Sequence, residues 1–494
     1  MREQAILVLD EGTTSTRALL YAPDGERLGM AQEELTQYYP APGQVEHDAA
    51  EIWAKTLACA RRMVEQAGGA DRIACIGITN QRETVVAWDR QTGEPLARAI
   101  VWQDRRTEPF CARLRNDGLE AEVQRRTGLV LDPYFSASKM RWLLDNDPVV
   151  ASAAQNGRLA LGTVESWLLF KLSGGAFLTD ASNASRTQLL ALDGAQFDDD
   201  LCGLFGVPRA ALAKVVDNAG PIAMAAPEML GAALPITGLA GDQQAATIGQ
   251  GCLSPGDTKA TFGTGAFILT NKGAGMPASA NRLLGTVLYQ LEGTRTYALE
   301  GSVFVAGSLV QWLRDSLGLL GTAAETEALA RSVPDSGGVV VVPALSGLGA
   351  PHWRSDARGT IGGLSFATGK AHIARAALEA MAHQSYDLAQ AFAADGGAWT
   401  SLRVDGGMSA NDWMAQDIAD ILNLEVERPQ DVETTARGAA MLAAAGHGLH
   451  PSLPAAVEAM RSPAAKFTPA MTEQVRHARL EGWHHALAAA LRSF

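Results

Sequence analysis

Apolar residues fall into short continuous runs separated by polar turns along the first hundred positions, and this spacing predicts an α/β arrangement. Residues 5–9, Ala-Ile-Leu-Val-Leu, read as a strand buried on both faces. A polar stretch at 10–16 turns the chain, 18–21 reads as a returning strand, and Asp24-Gly25 leads to a third strand near 27–32. Asp48 and Glu51 have capping-box spacing ahead of Ile52, Trp53, Leu57, Ala60 and Val64, which recur at helical period. Further strands are expected at 73–78, 85–88 and 99–102, the first two flanking the polar turn TNQRET at 79–84.

The opening pattern returns in the second half. Residues 259–262 lead into Gly263-Thr264-Gly265 and then the apolar run 266–269, as a second hairpin would. Helical periodicity marks 302–317, 371–392 and 411–422, while 339–342 and 402–404 read as buried strands. A Gly- and Pro-containing stretch at 249–256 permits a hinge, placing the domains at 1–248 and 249–494. The Ala-rich tail from about 450 onward reads as helices.

Composition narrows the class. A chain of 494 residues exceeds what one hydrophobic core usually holds, about 250 to 300 residues. Hydrophobic residues make up 47% and charged residues 19%, which supports a packed interior. The net charge of -13, scattered along the chain, argues against a nucleic-acid partner. Cys59, Cys75, Cys111, Cys202 and Cys252 lack metal or redox spacing and are expected as buried free thiols. No signal-peptide pattern and no apolar run of about 18 residues is found, so a cytoplasmic protein without a membrane span is expected.

Three constellations carry chemistry. Asp10 followed by Gly12-Thr13-Thr14-Ser15 and Arg17 brings a carboxylate, hydroxyls and backbone N–H groups to one turn, the components of a phosphate cradle. Gly241-Asp242-Gln243 ends an apolar segment with an acid suited to accept a proton, to help hold Mg²⁺, or to cap the helix that follows. Arg82-Glu83 pairs a donor with an acceptor, as gripping neighbouring hydroxyls requires. Trp102, Tyr134 and Phe267 are candidate pocket walls.

Together these segments resemble the FGGY family of carbohydrate kinases, and within it the members that act on glycerol. The resemblance rests on DEGTTSTR (10–17), TNQRET (79–84), IVWQDRRT (100–107), PYFSASKMRW (133–142) and NASRT (183–187). It continues through GLAGDQQAA (238–246), FGTGAF (262–267), ALEGSVFVAGSLVQWLRD (298–315), GLGAPHW (347–353) and VDGGMSAN (404–411). It implies two ribonuclease H-like domains of the actin and hexokinase type, each a mixed five-stranded sheet with flanking helices, and an active site in the cleft between them. The first domain would supply the substrate and phosphate side, the second the nucleotide side. The implied activity is ATP- and Mg²⁺-dependent phosphorylation of glycerol to sn-glycerol 3-phosphate, by a homodimer or homotetramer.

Carried over by position, the resemblance assigns Thr13, Thr14, Ser15 and Arg17 to the nucleotide phosphates, and Thr264, Gly307, Gln311, Gly407 and Asn411 to the rest of the nucleotide. Asp10 falls near Mg²⁺, with Asp242 sharing that role. Arg82, Glu83, Trp102, Tyr134, Asp242, Gln243 and Phe267 would surround glycerol, with Asp242 as general base. Alternatives are a kinase for another small polyol or ketose and a non-catalytic ATP-binding sensor. Two departures stand out. Glu11 occupies a position where the family commonly has Gln, and it is expected to point away from the phosphates. Residues 225–231 carry a Glu and no Arg where some bacterial relatives bind fructose 1,6-bisphosphate, so inhibition at that site is not expected.

Overall fold

The computed structural model describes residues 4–354 and 356–492. Its first sheet has six strands: β1 (Ala5–Glu11), β2 (Ser15–Tyr21), β3 (Arg27–Glu34), β4 (Ile73–Asn80), β5 (Ala219–Met224) and β6 (Pro235–Gly241), in spatial order 5-6-4-1-2-3. β1 is antiparallel to β2 and parallel to β4, which is parallel to β6. Every residue of β1 and β4 is buried, as their continuous apolar runs require of strands covered on both faces.

The second sheet has seven strands: β7 (Asp257–Phe262), β8 (Ala266–Gly273), β9 (Leu284–Leu291), β10 (Thr294–Val303), β11 (Ser401–Asp405), β12 (Val426–Pro429) and β13 (Ala464–Phe467), in order 9-10-8-7-11-12-13. Its strands 10-8-7-11-12 repeat the order and directions of 3-2-1-4-6. Each half therefore contains the expected five-stranded mixed sheet, extended by one edge strand in the first and two in the second.

Three local expectations are corrected. The helix expected over 302–317 begins only at Gly307, because Ser302 and Val303 continue β10 and pair with Phe267 and Ala266 of β8. The strand expected at 99–102 is Ala99–Ile100 alone, paired with Glu46–His47. The tail contains β13 between its helices Leu453–Met460 and Glu473–Arg492, and this strand adds to the sheet edge at β12.

Helix α1 (Ala49–Ala67), capped by Asp48, covers one face of the first sheet with Ile52, Cys59, Ala60 and Met63. The other face is covered by α2 (Asp242–Gly249) and by α6 (Thr434–His447), which comes from the second half of the chain. Between them in sequence lie α3 (Gly307–Asp315), α4 (Lys370–Ala394) and α5 (Asp412–Leu422), all packed in the core of the second half. α2 and α6 cross closely at Gly249 and Gly438. A Cβ on Gly438 would collide with the Ala245 carbonyl oxygen, and one on Gly249 with that of Thr434, so only glycine admits this approach. All five cysteines are buried and free. Among the described residues no helix is long and apolar enough to cross a membrane.

Candidate active site

The turn after β1 is shaped by Gly12, whose N–H donates to the Ser15 carbonyl at 3.0 Å. Thr14 is exposed, and Thr13 and Ser15 are partly so. Thr13 Oγ1 accepts from Trp102 Nε1 at 2.9 Å, tying the hydroxyl-rich turn to an aromatic group. Asp10 and Arg17 face each other in the hairpin register, and Arg17 Nη2 donates to Asp10 Oδ2 at 2.5 Å. Arg17 Nη1 meets Glu433 Oε2 at 2.6 Å, so this guanidinium is braced by two carboxylates, one from each half of the chain.

Glu11 points into the interior, away from the turn. It is fully buried, its Oε2 accepts from Thr56 Oγ1 of α1 at 2.9 Å, and its Oε1 has no partner. Burial pushes its carboxyl up to about 8, so at neutral pH it holds a proton.

Asp242 opens α2 directly after β6, with about a third of its side chain exposed. Its Oδ1 accepts from the Gln243 N–H at 2.7 Å and lies 3.3 Å from Arg82 Nε. Burial pushes its carboxyl above the ordinary range, Arg82 and Lys259 oppose this, and Asp10 adds to the rise. A carboxylate made more basic in this way is a better proton acceptor than one in free solvent.

Arg82 and Glu83 are both buried, but each has its main partner elsewhere. Arg82 makes a two-pronged contact with Glu300 of β10, Nη1 to Oε2 at 2.6 Å and Nη2 to Oε1 at 3.1 Å. Glu83 Oε1 accepts from Arg186 Nε at 2.6 Å, and Arg186 Nη2 reaches Glu300 Oε1 at 3.1 Å. Burial alone would raise the Glu300 carboxyl, yet Arg186 and Arg82 outweigh it and hold the group at about 2. Glu83 has a φ of 62°, a left-handed conformation costly for a side-chain-bearing residue and held by the packing around it.

Tyr134 OH accepts from Arg82 Nη2 at 3.3 Å. The Trp102 ring lies edge-on to Tyr134 at 5.7 Å and to Phe267 at 6.2 Å between centroids. Trp102 is thus in contact with both other rings, and through Tyr134 and its own Nε1 the group adjoins Arg82 and the Thr13 turn. Gln243, one residue into α2, accepts at Oε1 from Lys259 Nζ at 2.5 Å.

In the second half, the Gly263–Gly265 turn joins β7 to β8 as the Gly12 turn joins β1 to β2. It borders a cavity of about 430 Å³ whose lining includes Thr264, Gly307, Gln311, Gly407 and Asn411. The Gly307 and Ala306 N–H groups donate to the Gly263 and Thr264 carbonyls at 2.8 and 2.9 Å, fixing the start of α3 on this turn. Asn411 caps α5 by accepting from the Met414 N–H at 2.9 Å. The five residues expected on the nucleotide side therefore share one cavity wall.

Sequence reasoning left Glu300, Arg186 and Lys259 without roles. Each was visible as a charge inside an otherwise uncharged segment, ALEGSV, NASRT and TKATF, where burial demands a partner. The identity of that partner depends on contacts across 218 residues for Arg82 and Glu300, which spacing does not reveal.

Among the described residues no three His, Cys, Asp or Glu side chains converge as a preformed metal cage. Mg²⁺ is usually held by one or two carboxylates together with phosphate oxygens and water. Asp10 and Asp242 supply hard oxygen donors whose like charges repel, a pairing that suits a divalent cation. A partly exposed carboxylate, a polar cluster with aromatic neighbours, a hydroxyl-bearing turn and a cavity beside its counterpart in the second half are the kinds of component that moving a phosphoryl group onto a hydroxyl calls for.

Comparison with known proteins agrees with this geometry. Residues 5–249 match the N-terminal domain of the FGGY family of carbohydrate kinases, and residues 258–447 match its C-terminal domain. The chain is 52% identical over 486 residues to the glycerol kinase of Alcanivorax borkumensis, covering 98% of this chain and 97% of that one. It is 51% identical over 485 residues to the glycerol kinase of Rhodospirillum rubrum, covering 98% of each. The crystal structure of Plasmodium falciparum glycerol kinase with ADP superposes with a TM-score of 0.95 at 35% identity, over 100% of this chain and 99% of that one. With both family domains matched, relatives aligned over nearly the whole chain and the fold shared, this chain belongs to the FGGY family of carbohydrate kinases.

Proposed function

We propose that this enzyme transfers the terminal phosphoryl group of ATP to a terminal hydroxyl of glycerol, giving sn-glycerol 3-phosphate and ADP. The observation that carries this reading is the meeting of Asp242, Arg82 and Tyr134 beside Trp102, which is itself bonded to Thr13 of the phosphate-type turn. Trp102 thereby links the proposed acceptor pocket to the proposed phosphate turn. Likeness over the full chain to glycerol kinases favours glycerol over larger polyols or ketoses.

The residues divide the work as follows. Arg82 and Glu83 donate to and accept from neighbouring hydroxyls, Tyr134 and Gln243 add polar contacts, and Trp102 and Phe267 pack against the carbon chain. Asp242 takes the proton of the attacking hydroxyl as its oxygen bonds to phosphorus, and the bond from phosphorus to the bridging oxygen of ADP breaks. Thr13, Thr14 and Ser15 donate to phosphate oxygens, with Arg17 adding charge, while Thr264, Gly307, Gln311, Gly407 and Asn411 hold the remainder of the nucleotide. Asp10 and Asp242 would hold Mg²⁺, which when bound neutralises phosphate charge. Positioning and charge neutralisation supply most of the acceleration in such transfers.

The division at 1–248 and 249–494 assigns the phosphate contacts and every acceptor contact but Phe267 to the first domain, and the nucleotide contacts to the second, and closure of the cleft excludes water. The enzyme works in the cytoplasm as a homodimer or homotetramer. The test is ADP release with ATP and Mg²⁺ across glycerol, dihydroxyacetone, glyceraldehyde, erythritol, xylulose and gluconate, with the product identified. Preference for glycerol yielding glycerol 3-phosphate is the expected result. Preference for another polyol overturns the acceptor assignment, and no turnover with any of them favours a binding role.

A further inference from the structure

Lys259 is a buried lysine beside Gln243 to which the proposed reaction assigns no contact with substrate or nucleotide. It lies on β7 and has no exposed surface. Its Nζ donates to Gln243 Oε1 at 2.5 Å and to Thr261 Oγ1 at 2.9 Å. Thr261 in turn donates to Asp405 Oδ1 at 2.5 Å, and Asp405 Oδ2 accepts from Gln250 Nε2 at 3.0 Å and Thr434 Oγ1 at 2.5 Å. A chain of polar contacts thus runs from Gln243 on α2, through β7, to the end of β11 and the start of α6.

An ammonium is costly to bury, and an apolar side chain would fill a strand position as well. Its chemistry distinguishes it from such a filler. A lysine only donates, so Gln243 must present its carbonyl oxygen to Nζ and its NH2 on the opposite side. Without Lys259 the Gln243 carboxamide is free to rotate, and its donor and acceptor ends become interchangeable. Gln243 is partly exposed and adjoins Asp242.

We propose that Lys259 is a positioning residue for the acceptor side of the reaction, fixing the Gln243 carboxamide so that its NH2 faces a hydroxyl of the polyol beside Asp242. The inference rests on the reading of Gln243 as a polyol contact. Through Thr261 and Asp405 the same ammonium anchors that contact to the second half of the chain.

Steady-state kinetics of the full-length enzyme test this with K259M, K259Q, K259R, Q243A and the double variant K259M/Q243A, alongside wild type. K259M and K259Q are expected to raise the glycerol KM about tenfold, a loss of about 1.4 kcal/mol in binding, while the ATP KM stays within about twofold. K259R keeps a donor and is expected to recover part of the loss. The double variant should be little worse than Q243A alone, since both act through one carboxamide. Circular dichroism and an ADP-dependent thermal shift verify folding, and K259Q reads the same constants if K259M does not fold. A folded variant with an unchanged glycerol KM, or losses that multiply in the double variant, overturns the assignment. Failure of wild type to phosphorylate glycerol instead overturns the proposed function.

Discussion

At the scale of single residues, Asp242 and Glu11 are two carboxyl groups raised by the same cause and put to opposite ends. Asp242 is partly exposed and lies 3.3 Å from Arg82 Nε, as the base role proposed for it requires. Asp242→Asn is expected to lower kcat by about 10² to 10⁴, the usual worth of a positioned base, with a glycerol KM close to wild type. Undiminished turnover would remove the base from the mechanism. Glu11 has no cation, and folding it at neutral pH requires taking up a proton. Between its ordinary value of 4.5 and its folded value of about 8, the native state holds a proton that the unfolded chain lacks. Stability therefore falls as pH rises through that window and levels off above it, the reverse of a salt-bridged carboxylate. Glu11→Gln should be stabilising by an amount that is small near pH 5 and grows to a plateau above pH 8, read by urea denaturation. A pH-independent difference would mean that the buried carboxyl is already ionised. Nucleotide affinity should not change, because the side chain faces α1 and not the turn.

Among the elements, the loop between β4 and the next strand and the middle of β10 are joined by Arg82, Glu83, Arg186 and Glu300. Breaking a buried ion pair by removing one partner typically costs about 3 to 5 kcal/mol. Arg186→Met, which leaves Glu83 with only Arg82 Nε at 3.9 Å and removes one of the two arginines on Glu300, is expected to lower the melting temperature and to raise the glycerol KM through loss of Glu83 placement. Calorimetry and kinetics on one preparation would check both, and a lower melting temperature with an unaltered KM would make the cluster purely structural. Much of this level was legible in the sequence. β1, β2, β7 and β8 are marked by apolar runs with Gly-rich turns between them, and α1 by its cap and stripe. The helix start at 302 was misread because Val303, Val305, Ala306 and Leu309 satisfy helical spacing, while pairing with β8 decides otherwise. The strand at 464–467 was missed because Ala-Ala-Lys-Phe has no alternation, and its partner β12 lies far back in the chain.

For the whole molecule, the internal repeat and the FGGY motifs disclosed two like halves, but not how they interlock. That α6 crosses from the second half to cover the first sheet with alanines at 436, 439, 440 and 443 has no counterpart in the sequence reading, which assigned no element there. Gly438→Ala would force α2 and α6 apart and is expected to lower both stability and kcat. Small-angle scattering should then register a smaller compaction on adding ADP and glycerol than in wild type, and equal compaction would exclude the crossing from domain closure. Fructose 1,6-bisphosphate at millimolar concentration is expected to leave activity unchanged, since Pro227–Leu230 forms a short helix whose charged residue is Glu228.

The glycine crossing has a mechanical consequence. If the halves turn about it, the contact of α2 with α6 is an axle, and a rotation displaces each atom in proportion to its distance from that axle. Asp242 stands at the other end of the same short helix, only about 10 Å away at 1.5 Å per residue. The outer sheet edges would swing widely while the proton acceptor, standing close to the axle, travels little. Such a hinge would separate aim from stroke: the cleft would open far enough to exchange nucleotide without the proposed base having to be aligned afresh at each turnover.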